Sequence, residues 1–329
     1  MKIMLLSDMH LSNKSPVNRK DDYWYTVQRK LVQLGSIYRD NGCSCLLQAG
    51  DVFDKPSQPN EVVNWFVYFL NSYDIKLCCV YGQHDLYMRS YEDLAKTSLN
   101  LLNVAAPDRV HVFKEYLKTI SASPKTCVYG VSYGRYSIMR SGLDRANGEV
   151  DHDGEMFNNA LDDYDLKIMI IHKEIGSMPL FDGHELTAPR SFLMENPEFD
   201  LILCGDYHYP FEATVDGRRL VNTGCMVRRS IFPRDMEHKP KVGIYDTDTK
   251  EIEYHFLDIL PPEEAFDMNK IYTMKYEYEG GRFHTFGKAL VGTRTGANFL
   301  DNLRTAMDNN TISDAASAEI ETAIIPGKE

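Results

Sequence analysis

The chain has 329 residues, about twice the length of a typical domain. Hydrophobic residues make up 43% and charged residues 26%, a globular balance that excludes a disordered, collagen-like or disulfide-scaffold chain. The 36 Lys+Arg against 48 Asp+Glu leave a formal net charge of −12, which argues against coating nucleic acid by bulk charge, since non-specific binding comes from Lys and Arg neutralising phosphates.

The N-terminal run Met1–Leu6 is apolar for too few residues to be a leader peptide and reads as a buried strand. No apolar stretch approaches the ~18 residues of a membrane span. The seven cysteines contain no C-x-x-C pair, and most sit in apolar runs such as Leu201–Cys204. Buried, reduced thiols in a cytoplasmic protein without membrane contact are therefore expected.

Short apolar runs recur along the chain, and five stop abruptly at polar clusters. Ile3–Leu6 precedes Ser7-Asp8-Met9-His10, and Cys45–Gln48 precedes Ala49-Gly50-Asp51. Lys76–Tyr81 leads into Gly82-Gln83-His84-Asp85, Lys167–Ile171 into His172, and Leu201–Cys204 into Gly205-Asp206-Tyr207-His208. Between the first three lie helical stripes. Tyr23–Asn41 aligns Trp24, Val27, Leu31, Leu34 and Tyr38; Asn60–Tyr73 aligns Val63, Phe66, Val67 and Leu70, with Ser57 or Asn60 as its cap. Strand–helix–strand alternation predicts parallel strands, and in such sheets ligands bind beyond the carboxyl ends. The five clusters are thereby predicted to converge.

From 133 to 163 the apolar pattern fades into a long surface excursion. Strands resume at Arg219–Val221, Val242–Tyr245 and Ile252–Phe256, and Leu260-Pro261-Pro262-Glu263 reads as a boundary. Beyond it, Ile271–Tyr278 has strand character, Gly296–Asp308 helical character, and the last residues form a tail. This divides the chain into a domain of residues 1–258 and a small α+β extension of 259–329.

The strand-end residues Asp8, His10, Asp51, Gln83, His84, His172, Asp206 and His208 form a nitrogen and oxygen donor set suited to first-row divalent metals. On an extended segment, Asp8 and His10 point to one face by the period of two, and so do Asp206 and His208. Asp51 is the natural carboxylate to bridge two cations.

In this order, D-x-H, G-D-x-x-D, a G-N-H-D-like segment, a lone His after a strand and a G-H-x-H-like segment resemble the calcineurin-like metallophosphoesterases. Here they read Asp8-Met9-His10, Gly50-Asp51-Val52-Phe53-Asp54, Gly82-Gln83-His84-Asp85, His172 and Gly205-Asp206-Tyr207-His208. The resemblance spans residues 1 to 258 and implies an α/β fold, a β-sandwich flanked by helices. Within the superfamily, Gly-Asp-Val-Phe-Asp and Asn222-Thr223-Gly224-Cys225-Met226-Val227-Arg228-Arg229-Ser230 look most like the SbcD-type DNA repair nucleases. That branch implies a small capping domain, here reduced to 259–329, and a coiled-coil ATPase partner of the SbcC type; a homodimer is the other assembly to expect.

Residue by residue, the resemblance implies that Asp8, His10, Asp51 and His208 hold one metal. Asp51, Gln83, His172 and Asp206 hold the second. His84 acts at the phosphate, with Asp85 fixing its tautomer. The two ions, manganese first with magnesium or iron as alternatives, then polarise the phosphoryl oxygen and supply hydroxide near neutral pH for in-line attack. Gln83 replaces the family's Asn, and Asp206 replaces its first His. Both changes fall on the second metal and favour a harder ion, manganese or magnesium, over zinc; the competing reading is a weakened second site.

The stretch Arg228, Arg229, Arg234, Lys239 and Lys241 is a candidate for DNA backbone contact. Tyr87, Tyr207 and Tyr209 are candidates for base stacking, and Lys173 and Glu174 for support of His172. The function expected is a manganese-dependent DNA phosphodiesterase. The rivals are a phosphoesterase for a small molecule or nucleotide, and a catalytically weakened DNA- or protein-binding scaffold.

Overall fold

Strand β1 (Lys2–Leu6) shows how the layers arise: Met4 and Leu6 point to one side, Ile3 and Leu5 to the other, and all four are fully buried. A strand buried on both faces must lie between two apolar layers. Met4 and Leu6 pack with Val27, Leu31 and Leu34 of α1 (Tyr23–Asp40) and with Phe66 and Leu70 of α2 (Asn60–Ser72). Ile3 and Leu5 pack against Ile168 and Ile170 of β7 (Leu166–His172) and Leu201 and Leu203 of β8 (Leu201–Gly205). Each such side chain contributes about 1.5–3 kcal/mol of burial energy. The structure, a computed structural model, describes residues 1–137, 161–179 and 184–267.

The layers are two six-stranded mixed sheets. In the first, β12 (Ile252–Phe256) and β11 (Lys241–Asp246) run antiparallel beside β1, followed in parallel by β2 (Cys43–Gln48), β3 (Leu77–Val80) and β4 (Val110–Phe113). In the second, β5 (Glu115–Ala122) is antiparallel to β6 (Lys125–Val131), which runs parallel to β7 and β8. That sheet closes with β10 (Arg218–Asn222) parallel to β8 and β9 (Phe211–Val215) antiparallel to β10. A third layer, Cys127, Tyr129, Met169, Ile171 and Ile202 with Phe192 and Leu193 of α4 (Pro189–Glu195), covers its outer face. The architecture is α/β, a β-sandwich with helices outside.

The two predicted helices form over the expected spans. Asp22 caps α1 by accepting from the Tyr25 N–H. The cap expected for α2 does not form, because Pro59 occupies that position and offers no side-chain acceptor. Four strands the sequence did not mark are present: β4, β5 and β6, which follow α3 (Ser98–Ala105) and precede the excursion, and β9. All seven cysteines are free thiols, and all but the half-buried Cys43 are buried.

Met1–Phe266 and Asp267–Glu329 are two compact units. The strand expected at 271–278 and the helix expected at 296–308 lie outside the described residues, as does most of the excursion. Among the described residues, no helix is long and apolar enough to cross a membrane.

Candidate metal centre

β1, β2, β3, β7 and β8 all point their carboxyl ends to one edge of the sandwich, and the five polar clusters begin there. The loop after β1 is tied to the loop after β2: Met9 and His10 donate their N–H groups to the Asp51 carbonyl at 3.1 and 2.9 Å, and Leu11 donates to Val52 at 2.9 Å. The convergence of Asp8 with His10 does not come from strand alternation. β1 ends at Leu6, and His10 has φ 49°, Asp51 φ 53° and Asp206 φ 86°. A left-handed backbone at a non-glycine residue costs about 1–2 kcal/mol. Three donor residues carry that cost, which is where strain is retained for a function.

Asp8, His10, Asp51 and His208 each present a donor atom within 4.8 Å of the others. His10 Nε2 stands 3.0 Å from His208 Nε2 and 3.6 Å from Asp51 Oδ2. Three wholly buried atoms there, Asp8 Oδ2, Asp51 Oδ2 and His10 Nδ1, have no hydrogen-bond partner. Buried unpaired carboxylate oxygens are costly, and two imidazole nitrogens facing each other at 3.0 Å share no good hydrogen bond when both are neutral acceptors. A divalent cation satisfies the two carboxylate oxygens and the facing Nε2 atoms, so the residues present fit one, while His10 Nδ1 points away from it to Asp54 Oδ1 at 3.5 Å. Burial, then repulsion from His208 and Arg229, holds the His10 imidazole well below its ordinary range, in the neutral form that ligates.

The second donor set is less closed. His172 Nε2 lies 3.6 Å from Asp51 Oδ2 and 3.9 Å from Asp206 Oδ1. Gln83 spans these residues, its Oε1 2.6 Å from His172 Nε2 and its Nε2 donating to Asp206 Oδ1 at 2.6 Å. His172 Nδ1 meets the Ala49 carbonyl at 2.6 Å, so both ring nitrogens face acceptors. Burial pushes this imidazole down, but Asp51, Asp206 and Asp8 together outweigh burial and hold it up at about 9. Among the described residues, every group of three or more His, Cys, Asp or Glu donors within 4.8 Å contains His10, and none contains His172 or Asp206. The two departures from the motif are thus where the site is loosest. The residues expected at the second metal are neighbours, with the Gln83 amide hydrogen-bonded between His172 and Asp206.

His84 sits at the rim, its side chain 40% exposed and its Nε2 4.0 Å from Asp51 Oδ2. The orienting partner expected for it is not the one found. Asp85 is fully buried and accepts instead from the backbone N–H groups of Val52, Phe53 and Gly82, at 3.2, 3.0 and 3.0 Å. Burial raises its carboxyl to about 6, against the pull of those N–H groups. Its work is to clamp the loop after β2 to the loop after β3. The imidazole is oriented by Asp54, whose carbonyl oxygen faces His84 Nδ1 at 3.0 Å. That leaves Nε2 turned to the cluster. Burial, partly offset by Asp54, lowers the His84 pKa.

Two glycines of the motifs are explained by proximity. A Cβ on Gly82 would stand 2.0 Å from Asp51 Oδ1, and one on Gly50, where φ is +91°, 2.3 Å from His172 Nδ1. Gly82→Ala is expected to push Asp51 aside. We expect activity to fall about 100-fold, the cost of a misplacement near 1 Å, with weaker manganese binding by calorimetry and an unchanged far-ultraviolet circular dichroism spectrum.

Four members of the basic stretch, Arg228, Arg229, Arg234 and Lys241, are engaged within the protein, and Lys239 is left exposed. Arg228 is buried and donates to the carbonyls of Met236 and Leu260. The Arg234 guanidinium lies 3.8 Å over the Tyr209 ring, and the Lys241 ammonium 3.7 Å over Tyr254. Tyr207 is buried with its hydroxyl on the Met178 carbonyl, so it offers no face to a base. Lys173 lies over Tyr136, and Glu174 pairs with His184 at 3.0 Å, so neither supports His172. Of this stretch Arg229 alone reaches the centre, through an ion pair with the Asp54 carboxylate. Sequence reasoning assigned no role to Asp54, although it closes the second motif. It also missed Cys225, which with His10 and His208 forms a second close donor group, and Tyr133, whose ring centroid lies 6.3 Å from that of His172.

No curated protein matches the sequence. Among solved structures, protein TT1561 of Thermus thermophilus superposes with a TM-score of 0.50 at 12% identity, over 78% of this chain and 99% of that one. A dimetal phosphatase from Danio rerio superposes at 0.48 with 11% identity, over 79% and 97%. An archaeal phosphodiesterase does so at 0.39 with 15% identity, over 78% and 100%. The sequence profile of the calcineurin-like phosphoesterases matches residues 1–210, the span from the first strand to the last pair of metal-site residues. With the fold and the His and Asp cluster in place, this chain belongs to the calcineurin-like phosphoesterase family.

Proposed function

We propose that this phosphoesterase is a metal-dependent phosphodiesterase acting on DNA. The observation that supports it best is the openness of the site on one side. Asp8, His10 and Asp51 have no exposed surface, His84 is 40% exposed at the rim, and a groove of about 580 Å³ carrying Arg89 and Arg135 adjoins the centre at Tyr133. A polymer can lie across such a rim, whereas a small ester needs enclosure for affinity. The motif form Gly50-Asp51-Val52-Phe53-Asp54 and the segment that carries Arg229 point the same way.

The chain's own residues divide the work. Asp8, His10, Asp51 and His208 would hold one divalent cation, and Asp51, Gln83, His172 and Asp206 a second; such ions would supply charge stabilisation and a hydroxide nucleophile to the phosphoryl group. His84 Nε2 faces the donor cluster, with Nδ1 held on the Asp54 carbonyl, and would protonate the leaving oxygen. Arg229, tethered to Asp54, adds charge next to it. Gln83 and Asp206 bring oxygen rather than nitrogen donors to the second set, a chemistry that would favour manganese or magnesium over zinc.

The test is hydrolysis of labelled single- and double-stranded DNA beside bis-p-nitrophenyl phosphate, with manganese, magnesium or zinc at equal occupancy. Manganese-dependent DNA cleavage that disappears with chelator is expected. Cleavage of the small ester alone would overturn the DNA reading, and zinc outperforming manganese would overturn the hard-ion reading.

A further inference from the structure

Residues 87–92 leave the metal-site loop after β3 in an unusual way. Met88 has φ 49° and ψ 28°, and Arg89 follows with φ 57°. Two consecutive left-handed residues, neither glycine nor asparagine, are unfavourable. Met88 is 95% exposed, so packing of its side chain does not account for them. The result is that Arg89 is exposed, and its guanidinium makes no hydrogen bond or ion pair with any described residue.

Arg89 faces a groove whose opposite wall is firmly built. The Tyr91 hydroxyl donates to the Tyr133 carbonyl at 2.7 Å, and the Arg135 guanidinium lies 4.3 Å over the Tyr91 ring. Tyr81 meets Tyr91 edge-on at 6.1 Å and accepts from the Tyr133 N–H at 2.8 Å. Tyr133 in turn stands edge-on to His172. The wall is therefore continuous with the metal centre. Glu92 lines the same groove. Arg89 offers this groove an exposed guanidinium, the donor fork that the oxygens of a phosphodiester accept.

We propose that this groove receives the backbone phosphodiester next to the scissile one, with Arg89 as its principal counter-charge and the Tyr91–Arg135 pair as its wall. The proposal deepens the DNA reading above and rests on it. It explains why an uncommitted arginine is held in a strained backbone beside the centre, and it makes Arg89 a residue that selects polymeric over small phosphodiesters.

The experiment compares wild type, Arg89→Ala and Arg89→Gly on single-stranded oligonucleotides and on bis-p-nitrophenyl phosphate, which has no flanking phosphodiester. Glycine suits the left-handed backbone, so this variant removes the charge without the strain. Both variants are expected to raise KM for DNA about tenfold, the loss of one charged phosphate contact near 1.4 kcal/mol. KM for the small ester should shift far less. The slope of log KM against log salt on DNA should shrink by about 0.7, one phosphate contact on a single strand. Wild-type KM and salt slope in both variants would overturn the groove alone. Equal losses on both substrates would also overturn it, by showing that Arg89 supports the centre itself. A wild type that cleaves the small ester and leaves DNA intact overturns the DNA reading, and the groove falls with it, but that failure is seen before any variant is made.

Discussion

Replacing Asp51 by Asn should reduce phosphodiester hydrolysis by about 1000-fold or more, the scale on which lost charge stabilisation at a transition state is felt. The fold should survive, because the Asn oxygen can still accept from the His84 N–H as Asp51 Oδ1 does at 2.8 Å. What is lost is the buried anion whose Oδ2 lies 3.6 Å from both His10 and His172. Burial pushes the Asp51 carboxyl well above its ordinary range, with Asp85 and Asp8 adding to the effect against the opposing pull of His172. A carboxyl whose folded pKa is raised stabilises the fold at low pH, and that contribution is lost as pH rises through the folded value. Above its unfolded pKa the metal-free wild type therefore carries at Asp51 a cost of burying or protonating the carboxylate that Asn does not carry. Metal-free Asp51→Asn should melt a few degrees higher than metal-free wild type, on the scale of about 2–4 °C per kcal/mol. Adding manganese should reverse the order, raising the Tm of the wild type and leaving the variant where it was. Differential scanning calorimetry with and without manganese measures both. Wild type melting above the variant in chelator would show that Asp51 is not strained by its burial.

His84→Ala should separate substrates by their leaving group. A general acid contributes roughly 100- to 10,000-fold where the leaving oxygen needs a proton, and a sugar alkoxide needs one. A p-nitrophenolate is a stable anion and needs none. We expect kcat on DNA to fall over that range and kcat on bis-p-nitrophenyl phosphate to fall by about tenfold or less, on the order of one lost contact. Since the His84 pKa is lowered by burial, the acid form becomes scarcer as pH rises. The DNA rate of wild type should therefore decline toward alkaline pH more steeply than the small-ester rate. Equal losses on the two substrates would assign His84 to charge stabilisation instead. An Asp85 variant is expected to behave differently again, losing thermal stability with its three backbone N–H partners rather than showing leaving-group dependence.

These expectations also show how a donor set with two departures remains coherent. The first set, Asp8, His10, Asp51 and His208, closes around one point. The second is bridged by the Gln83 amide, one methylene longer than the family's Asn, which reaches both His172 and Asp206. A cation there must displace a proton from His172 and one or both of these hydrogen bonds. Metal occupancy of the two sites is thus expected to be unequal, and the groove at Arg89 lies on the side of the weaker one.

The sequence by itself determined the order of the strands that end at the site, the helices at Tyr23 and Asn60, and which polar residues gather at those strand ends. Those features are local: an apolar run buried on both faces, a stripe at helical spacing, and a polar cluster at a strand's end are each written in consecutive residues. Only the tertiary structure decided how the donors converge, because His10, Asp51 and Asp206 reach the centre through left-handed backbone that no residue type announces. It also reassigned side chains whose chemistry is set by their neighbours. Asp85 clamps loops because three N–H groups surround it, and Asp54 orients His84 because its carbonyl, not its carboxylate, faces the ring. Arg228 is spent inside the protein while Arg89 is left outside. A charge in a sequence states what a residue can bind; burial and the partners within reach decide what it does bind, and those are properties of the fold.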